Sequence, residues 1–490
     1  MSAPAPTVLR ALRSPRMLSR EVLAGLVVAL ALIPEAIAFS IIAGVDPRVG
    51  LFSSFVMAVS IAFVGGRAAM VSAATGAVAL VVADVAPTYG LEYLLATILL
   101  AGVFQILLAV FGVAKLLRFI PRSVMVGFVN ALAIIVLMSQ LPHLLGVPWL
   151  TYPLVVLGVV VIAIFPRLTT AIPAPLIGVV VVTALVMIVG WDLPTVGDQG
   201  ELPRTLPGFL LPAVPLTGET LAIIAPYAAG VAVVGLVESL MTAKLVDDIT
   251  DTPSSKTREA AGQGIAQILS SLFGGMGGCA VVGQTMMNVK ISGARTRIST
   301  FLAGVFLLIL VIVFGDFVAG IPMAALVAVM VMVSYAAFDW HSVRPSTLRR
   351  MPKSETAVML VTVVLTVVTE NLAIGVGAGI VAAAVLFVRR VAHFTTVART
   401  LSDDGESVRY AVRGELFFAS SNDLTTQFSY AEDPARVVID MSQSHVWDAS
   451  TVAALDAIEH KYRQRGARVE IVGMNDASGD FHGRLTGNLP

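Results

Sequence analysis

The sequence predicts an all-α polytopic membrane protein closed by a small C-terminal α/β domain. Three observations carry that prediction. Of 490 residues, 57% are hydrophobic and only 13% are charged, against about 25% charged in a soluble domain, and the mean hydropathy is +0.88. Apolar segments recur through the first 390 residues, at about 22–43, 49–64, 70–84, 91–114, 122–141, 150–165, 175–190, 220–242, 260–274, 279–292, 298–316, 321–337, 356–369 and 372–388. Beyond Arg390 the chain turns charge-rich, and no run there is long enough to span. The zero net charge points away from nucleic acid, and a single cysteine, Cys279, excludes an intrachain disulfide. None of the six histidines pairs with another at metal-ligand spacing inside an apolar segment. No Ser/His/Asp set or phosphate loop is recognisable. The expectation is therefore no metal, no cofactor and no enzyme.

Residues 1–20 are basic and read as a cytoplasmic lead-in. The first segment, Val22 to Ala43, is long enough to cross about 30 Å of hydrocarbon. Pro34 loosens its backbone, and Glu35 sits near its middle. A carboxylate at that depth costs about 2.5–3.5 kcal/mol on insertion scales, so an ionisable group there marks a functional site. Placing the N-terminus inside sorts Arg10, Arg13, Arg16, Arg20, Arg67, Lys115, Arg118, Arg122 and Arg167 to one side. Lys244, Lys256, Arg258, Lys290, Arg295, Arg297, Arg344, Arg349, Arg350, Lys353, Arg389 and Arg390 join them, and only Arg48 and Arg204 fall opposite. That asymmetry predicts an even number of spans with both termini cytoplasmic, in the cell inner (plasma) membrane.

The proline-rich stretch Trp191 to Thr220 divides the segments into two sets of seven, repeats at about 21–190 and 220–390. Phe63-Val64-Gly65-Gly66 before the third segment corresponds to Leu272-Phe273-Gly274-Gly275 before the tenth. Ile120-Pro121 corresponds to Ile321-Pro322, and Glu35 of the first segment to Glu238 of the eighth. Seven is odd, so the second set runs inverted through the membrane. The third segment (Ala73, Ala74, Thr75, Gly76) and the tenth (Val282, Gly283, Gln284, Thr285) are too short to span as plain helices. Each is expected to enter non-helically and continue as a half-helix, so that two positive dipole ends meet near the midplane. Small residues let a ligand approach that backbone. Helix packing through small residues is the competing reading of either segment alone.

The last hundred residues (391–490) read as a cytoplasmic α/β domain. VRYAVRGELFFAS (408–420) alternates like a strand, ARVVIDMS (435–442) and ARVEIVGM (467–474) read as further strands, and 449–466 forms an amphipathic helix with Ala453, Leu455, Ile458 and Tyr462 inward.

With these residues in hand, the chain resembles the sulfate permease (SulP) family of anion transporters over nearly its whole length. The carriers are Pro34 with Ala38-Phe39, Ser72-Ala73-Ala74-Thr75-Gly76, Glu238-Ser239, the LFGGMGGC approach to the tenth segment, and a C-terminal domain like a STAS domain through VVIDMS and Asp448-Ala449-Ser450. The resemblance implies seven plus seven inverted spans, a core domain moving against a gate domain, and a homodimer. The chain departs from the family pattern in three places. Glu35 stands where relatives often carry Gln or an apolar residue. Ala449 stands where antagonist proteins carry serine, and the STAS-like region ends soon after Gly473.

The expected function is secondary active transport of a small anion (sulfate, bicarbonate or a small dicarboxylate) by alternating access, as proton symport through Glu35. Protonation removes both the cost of the buried charge and its repulsion of an incoming anion. Ala73, Ala74, Thr75, Gly76, Glu238, Thr242, Val282, Gly283, Gln284 and Thr285 are the expected binding residues, with Thr242 one helical turn from Glu238. Two alternatives keep the fold: a nucleobase–proton symporter, disfavoured because the tenth segment has no acid, and an uncoupled anion channel or exchanger.

Overall fold

The computed structural model describes residues 7–112, 121–167, 174–369, 372–392 and 395–487. Lys115 and Arg118 of the topology argument, Ile120 of the repeat correspondence, and the end of the 91–114 segment lie outside them. The chain divides into two compact units, residues 1–380 and 381–490.

In the first unit, helices occupy each expected apolar segment: α1 (Pro15–Ile42), α2 (Pro47–Val64), α3 (Gly76–Val81), α4 (Leu91–Val110), α5 (Arg122–Met138), α6 (Thr151–Ile164) and α7 (Ala174–Val189) precede the long loop. After it come α8 (Gly218–Thr250), α9 (Lys256–Leu272), α10 (Val282–Met286), α11 (Arg297–Val313), α12 (Met323–Ala337), α13 (Lys353–Thr369) and α14 (Leu372–Ala392), the last carrying the chain into the second unit. Among the described residues, six helices have both the length and the hydropathy to cross a membrane. α1 and α8 outrun the expected segments because polar residues prolong them; Lys244 and Asp248, at i and i+4 on α8, stand 3.7 Å apart. Both helices carry an internal proline, Pro34 and Pro226. Pro121 and Pro322 each cap the start of a helix, α5 and α12, where a missing N–H costs nothing.

The helices sort into two sets. α1 packs on α2 and α11, and α9 packs on α2 and α4, with α8 against α4. Separately, α5 packs on α12 and α13, and α6 on α7 and α12. α4 and α9 cross at a glycine pair: a Cβ on Gly102 would lie 2.5 Å from the Gly264 carbonyl oxygen, and one on Gly264 would lie 2.6 Å from that of Gly102. Contact this close needs glycine on both sides. The long loop is pinned by its backbone, since its prolines cannot donate. Val196 N donates to Ile321 O and Met323 N to Pro194 O (both 2.8 Å), while Arg48 N donates to Glu201 O at 3.0 Å.

The second unit holds a four-stranded sheet of β3 (Thr396–Leu401), β4 (Ser407–Leu416), β5 (Arg436–Val446) and β6 (Arg468–Val472) in that order. β3 is antiparallel to β4 and the others are parallel. Helix α16 (Ala449–Gln464), which follows α15 (Phe418–Leu424), buries Val452, Leu455, Ile458 and Tyr462. Three expectations are corrected here. The alternating 408–420 stretch ends as a strand at Leu416, because the Phe418 N–H is taken by the Asp448 carboxylate (2.6 Å) and a helix begins. Ala453 is only half-buried and Val452 takes the inward place. The region does not stop after Gly473 either: a further helix, α17 (Asp476–Leu485), is capped by Asn475, whose side chain accepts from Ser478 N at 3.0 Å.

Candidate functional site

The third and tenth segments enter as extended backbone, and the two extended pieces meet. β1 (Ser72–Ala73) and β2 (Cys279–Ala280) pair antiparallel, Ser72 opposite Ala280 and Ala73 opposite Cys279, and Val281 N donates to Val71 O at 2.9 Å. The glycines before β2 permit this approach: a Cβ on Gly278 would lie 1.9 Å from the Ala73 carbonyl oxygen. α3 and α10 start directly after the pair, and neither is capped by a side chain. Their first N–H groups lack intrahelical acceptors and carry the positive end of each short dipole.

The two starts differ in access. Ala73, Ala74, Thr75 and Gly76 are buried, with Ala74 N donating to Ser54 Oγ at 3.2 Å. Val282 is 39% exposed, and a Cβ on Gly283 would meet nothing within 4 Å. The open side of the pair is therefore at α10.

α1 supplies two side chains from one face. Glu35 is buried on α1, which packs against α10, and has the Gln284 side chain of α10 as a neighbour; Gln284 Oε1 has no partner. One turn on, the Phe39 ring lies against the start of α3, where a Cβ on Gly76 would stand 2.9 Å from Phe39 Cε1. α8 supplies the adjacent pair Glu238 and Ser239. Ser239 Oγ accepts from Ala280 N at 3.1 Å. Glu238 Oε2 accepts from the Cys279 thiol at 2.9 Å, and Cys279 Sγ lies 3.1 Å from Thr75 Oγ1 at the start of α3.

Glu35, Glu238, Thr75, Gly76, Val282, Gly283 and Gln284 thus gather around one strand pair. Thr242 and Thr285 take other positions. Thr242 Oγ1 donates back to the Glu238 carbonyl at 2.8 Å, inside its own helix. Thr285 Oγ1 accepts from Val71 N at 3.0 Å and so fastens α10 to the approach to β1. Sequence reasoning took Cys279 as a redox question and as the end of the LFGGMGGC approach, and missed its place between Glu238 and Thr75. Its position next to the glycine run, facing a Glu-Ser pair, was the available signal. None of the residues gathered here is basic, so positive potential comes from backbone N–H groups, opposed by two carboxyls that protonation would neutralise.

The sequence pattern of the Sulfate permease family matches residues 18–165 and 147–362, and that of the STAS domain matches residues 400–479. YbaR of Bacillus subtilis (strain 168) is 49% identical over 94% of this chain and 95% of its own length. The bicarbonate transporter BicA of Picosynechococcus sp. (strain ATCC 27264 / PCC 7002 / PR-6) is 25% identical over 96% of this chain and 90% of its own. Among solved structures, the murine Slc26a9 anion transporter in the inward-facing state superposes with a TM-score of 0.81 at 17% identity, covering 95% of this chain and 87% of that one. The chain belongs to the sulfate permease family, as a multi-pass membrane anion transporter with a C-terminal STAS domain.

Proposed function

We propose that this chain is a secondary transporter of a small anion of the sulfate or bicarbonate class, working by alternating access and coupled to protons through Glu35. One observation carries the reading: the β1–β2 pair draws two uncapped helix starts together beside Glu35 and Gln284. An anion held there meets free N–H donors on one side and a carboxyl on the other. With Glu35 ionised the two charges repel; with Glu35 protonated the carboxyl becomes a donor to the anion. Anion and proton therefore enter together and leave together, which is symport. The relatives support the substrate class, since YbaR and YvdB are named as sulfate transporters and BicA as a bicarbonate transporter. Family membership favours an anion over the nucleobase alternative.

In this reading α1–α4 with α8–α11 form the moving core, and α5–α7 with α12–α14 the gate, the two sets already distinct in their packing. Both termini face the cytoplasm, as the placement of basic residues supports, and the protein works as a homodimer. The test is uptake by proteoliposomes of labelled sulfate and bicarbonate, each with and without an inward proton gradient. Uptake of either anion that an inward proton gradient does not accelerate would remove the coupling. No uptake of either anion would remove the substrate class.

A further inference from the structure

The connection between α12 and α13 has no part in the site above, yet it gathers basic side chains. With the first turn of α13 it carries His341, Arg344, Arg349, Arg350 and Lys353 against two acids, Asp339 and Glu355. Asp339 is already engaged, its Oδ1 accepting from His341 N (3.0 Å) and Ser342 N (3.3 Å). Among the described residues, none of the four Arg and Lys side chains comes within 4 Å of a carboxylate. Two buried or half-buried arginines of this unit are engaged instead: Arg67 pairs with Asp247 at 3.1 Å, and Arg297 caps α2 at the Gly65 carbonyl at 2.6 Å.

The segment is also held in place. Asn130 of α5, buried, donates to Ser342 Oγ at 2.9 Å and accepts from Asp339 N at 2.8 Å. Here a cavity of about 250 Å³ opens, lined by His341, Ser346, Thr347, Arg350, Met351 and Pro352. Trp340 (49% exposed), next in the chain to the lining residue His341, lies 5.0 Å from Tyr335 (58% exposed) between ring centres, the rings tilted at 43°. Exposed Trp and Tyr at the end of a spanning helix sit at the hydrocarbon–headgroup boundary.

We infer that this cavity binds the phosphate of an anionic phospholipid headgroup, with Arg350 and His341 facing the phosphate and Arg344 and Arg349 near it. The adjacent aromatic pair is the reason to assign a lipid rather than free phosphate, since it places the cavity at headgroup depth. The inference does not depend on which anion is carried or how transport is coupled.

The test is thermal unfolding of the purified full chain in detergent, titrated with phosphatidylglycerol, phosphatidylcholine or inorganic phosphate. Phosphatidylglycerol raises Tm at low concentration and the other two do not. The variant R344Q/R350Q, matched to the wild type in lipid-free Tm, needs roughly thirtyfold more phosphatidylglycerol for the same shift, as two lost charges near an anionic headgroup imply. A second variant, S346F, fills the cavity with every charge kept and gives the same loss, which separates a site from diffuse attraction. R10Q/R13Q, removing equal charge elsewhere, responds like the wild type. The inference is overturned if both site variants respond like the wild type, if R10Q/R13Q loses as much, or if inorganic phosphate protects as well as the lipid.

Discussion

Cys279 donates its thiol to the Glu238 carboxylate at 2.9 Å while standing 3.1 Å from the Thr75 hydroxyl. One side chain therefore ties β2 to α8 and to the start of α3, and it fixes where the Glu238 carboxyl points. Replacing Cys279 with Ala removes the donor, with an expected loss of about 1 kcal/mol and a roughly fivefold fall in anion uptake. Cys279→Ser restores a hydroxyl donor and most of the rate. Initial uptake rates of the three proteins, at matched reconstituted amounts, check this. Equal rates in wild type and Cys279→Ala would show that the thiol is only a space-filler.

Glu35→Gln fixes the neutral form of the side chain. The anion still binds, because the repulsive charge is gone and the amide fits nearly the same space. Net uptake driven by an inward proton gradient collapses, since no proton is released inside. Exchange of labelled for unlabelled anion needs no proton turnover and persists. Undiminished proton-driven uptake by this variant would take Glu35 out of the mechanism.

The two glycines at the tenth segment behave oppositely. Gly278→Ala puts a methyl group 1.9 Å from the Ala73 oxygen, which breaks the strand pair and costs about 3 kcal/mol or more. Gly283→Ala enters open space and changes stability by less than about 0.5 kcal/mol. Gly283→Leu, on the exposed α10 start, leaves Tm near wild type and abolishes anion binding. Thermal unfolding with anion-binding titrations on all three distinguishes fold from site; normal affinity in Gly283→Leu would place the site elsewhere.

In the STAS domain the Asp433 side chain, fully buried, accepts from the hydroxyls of Tyr410 and Tyr462 and pairs with Arg399 at 2.8 Å. Asp433→Ala leaves three donors unpaired and destabilises the domain by about 3 kcal/mol. Burial pushes the Tyr430 phenol up to about 12 from 10.0. Burial and the bond to Asp433 push Tyr462 up as well. Both are neutral in the folded domain, so their contribution is whole below pH 10 and is lost as the pH rises toward 12. Tyrosinate absorbance and circular dichroism followed together report it: unfolding accompanies ionisation. Ionisation of all tyrosines near pH 10, with no loss of structure, contradicts the buried cluster.

Deleting residues 391–490 leaves the membrane unit folded and able to bind the anion, because no gathered site residue lies beyond Arg390. A truncated protein that binds no anion bound by the full chain would show that the STAS domain contributes to the site.

The sequence by itself determined the helical segments and the two short ones among them, because hydrocarbon thickness and backbone satisfaction translate directly into apolar length. It also marked Glu35, Glu238 and the small residues of the third and tenth segments, since a charge or a glycine run in apolar sequence stands out without any coordinates. What it left open was direction. Thr242 and Thr285 look like ligands by spacing, yet their hydroxyls serve the Glu238 carbonyl and the Val71 backbone. Those partners belong to the helix's own preceding turn and to a segment more than two hundred residues away. Cys279 shows the converse: a residue given no part in the site became a junction because β1 and β2 paired in one register. In the STAS domain the wrong inward residue, Ala453 for Val452, reflects a helical face known only once the sheet is laid beneath it. Local pattern records what a residue costs to bury, and only the tertiary structure decides which partner offsets that cost.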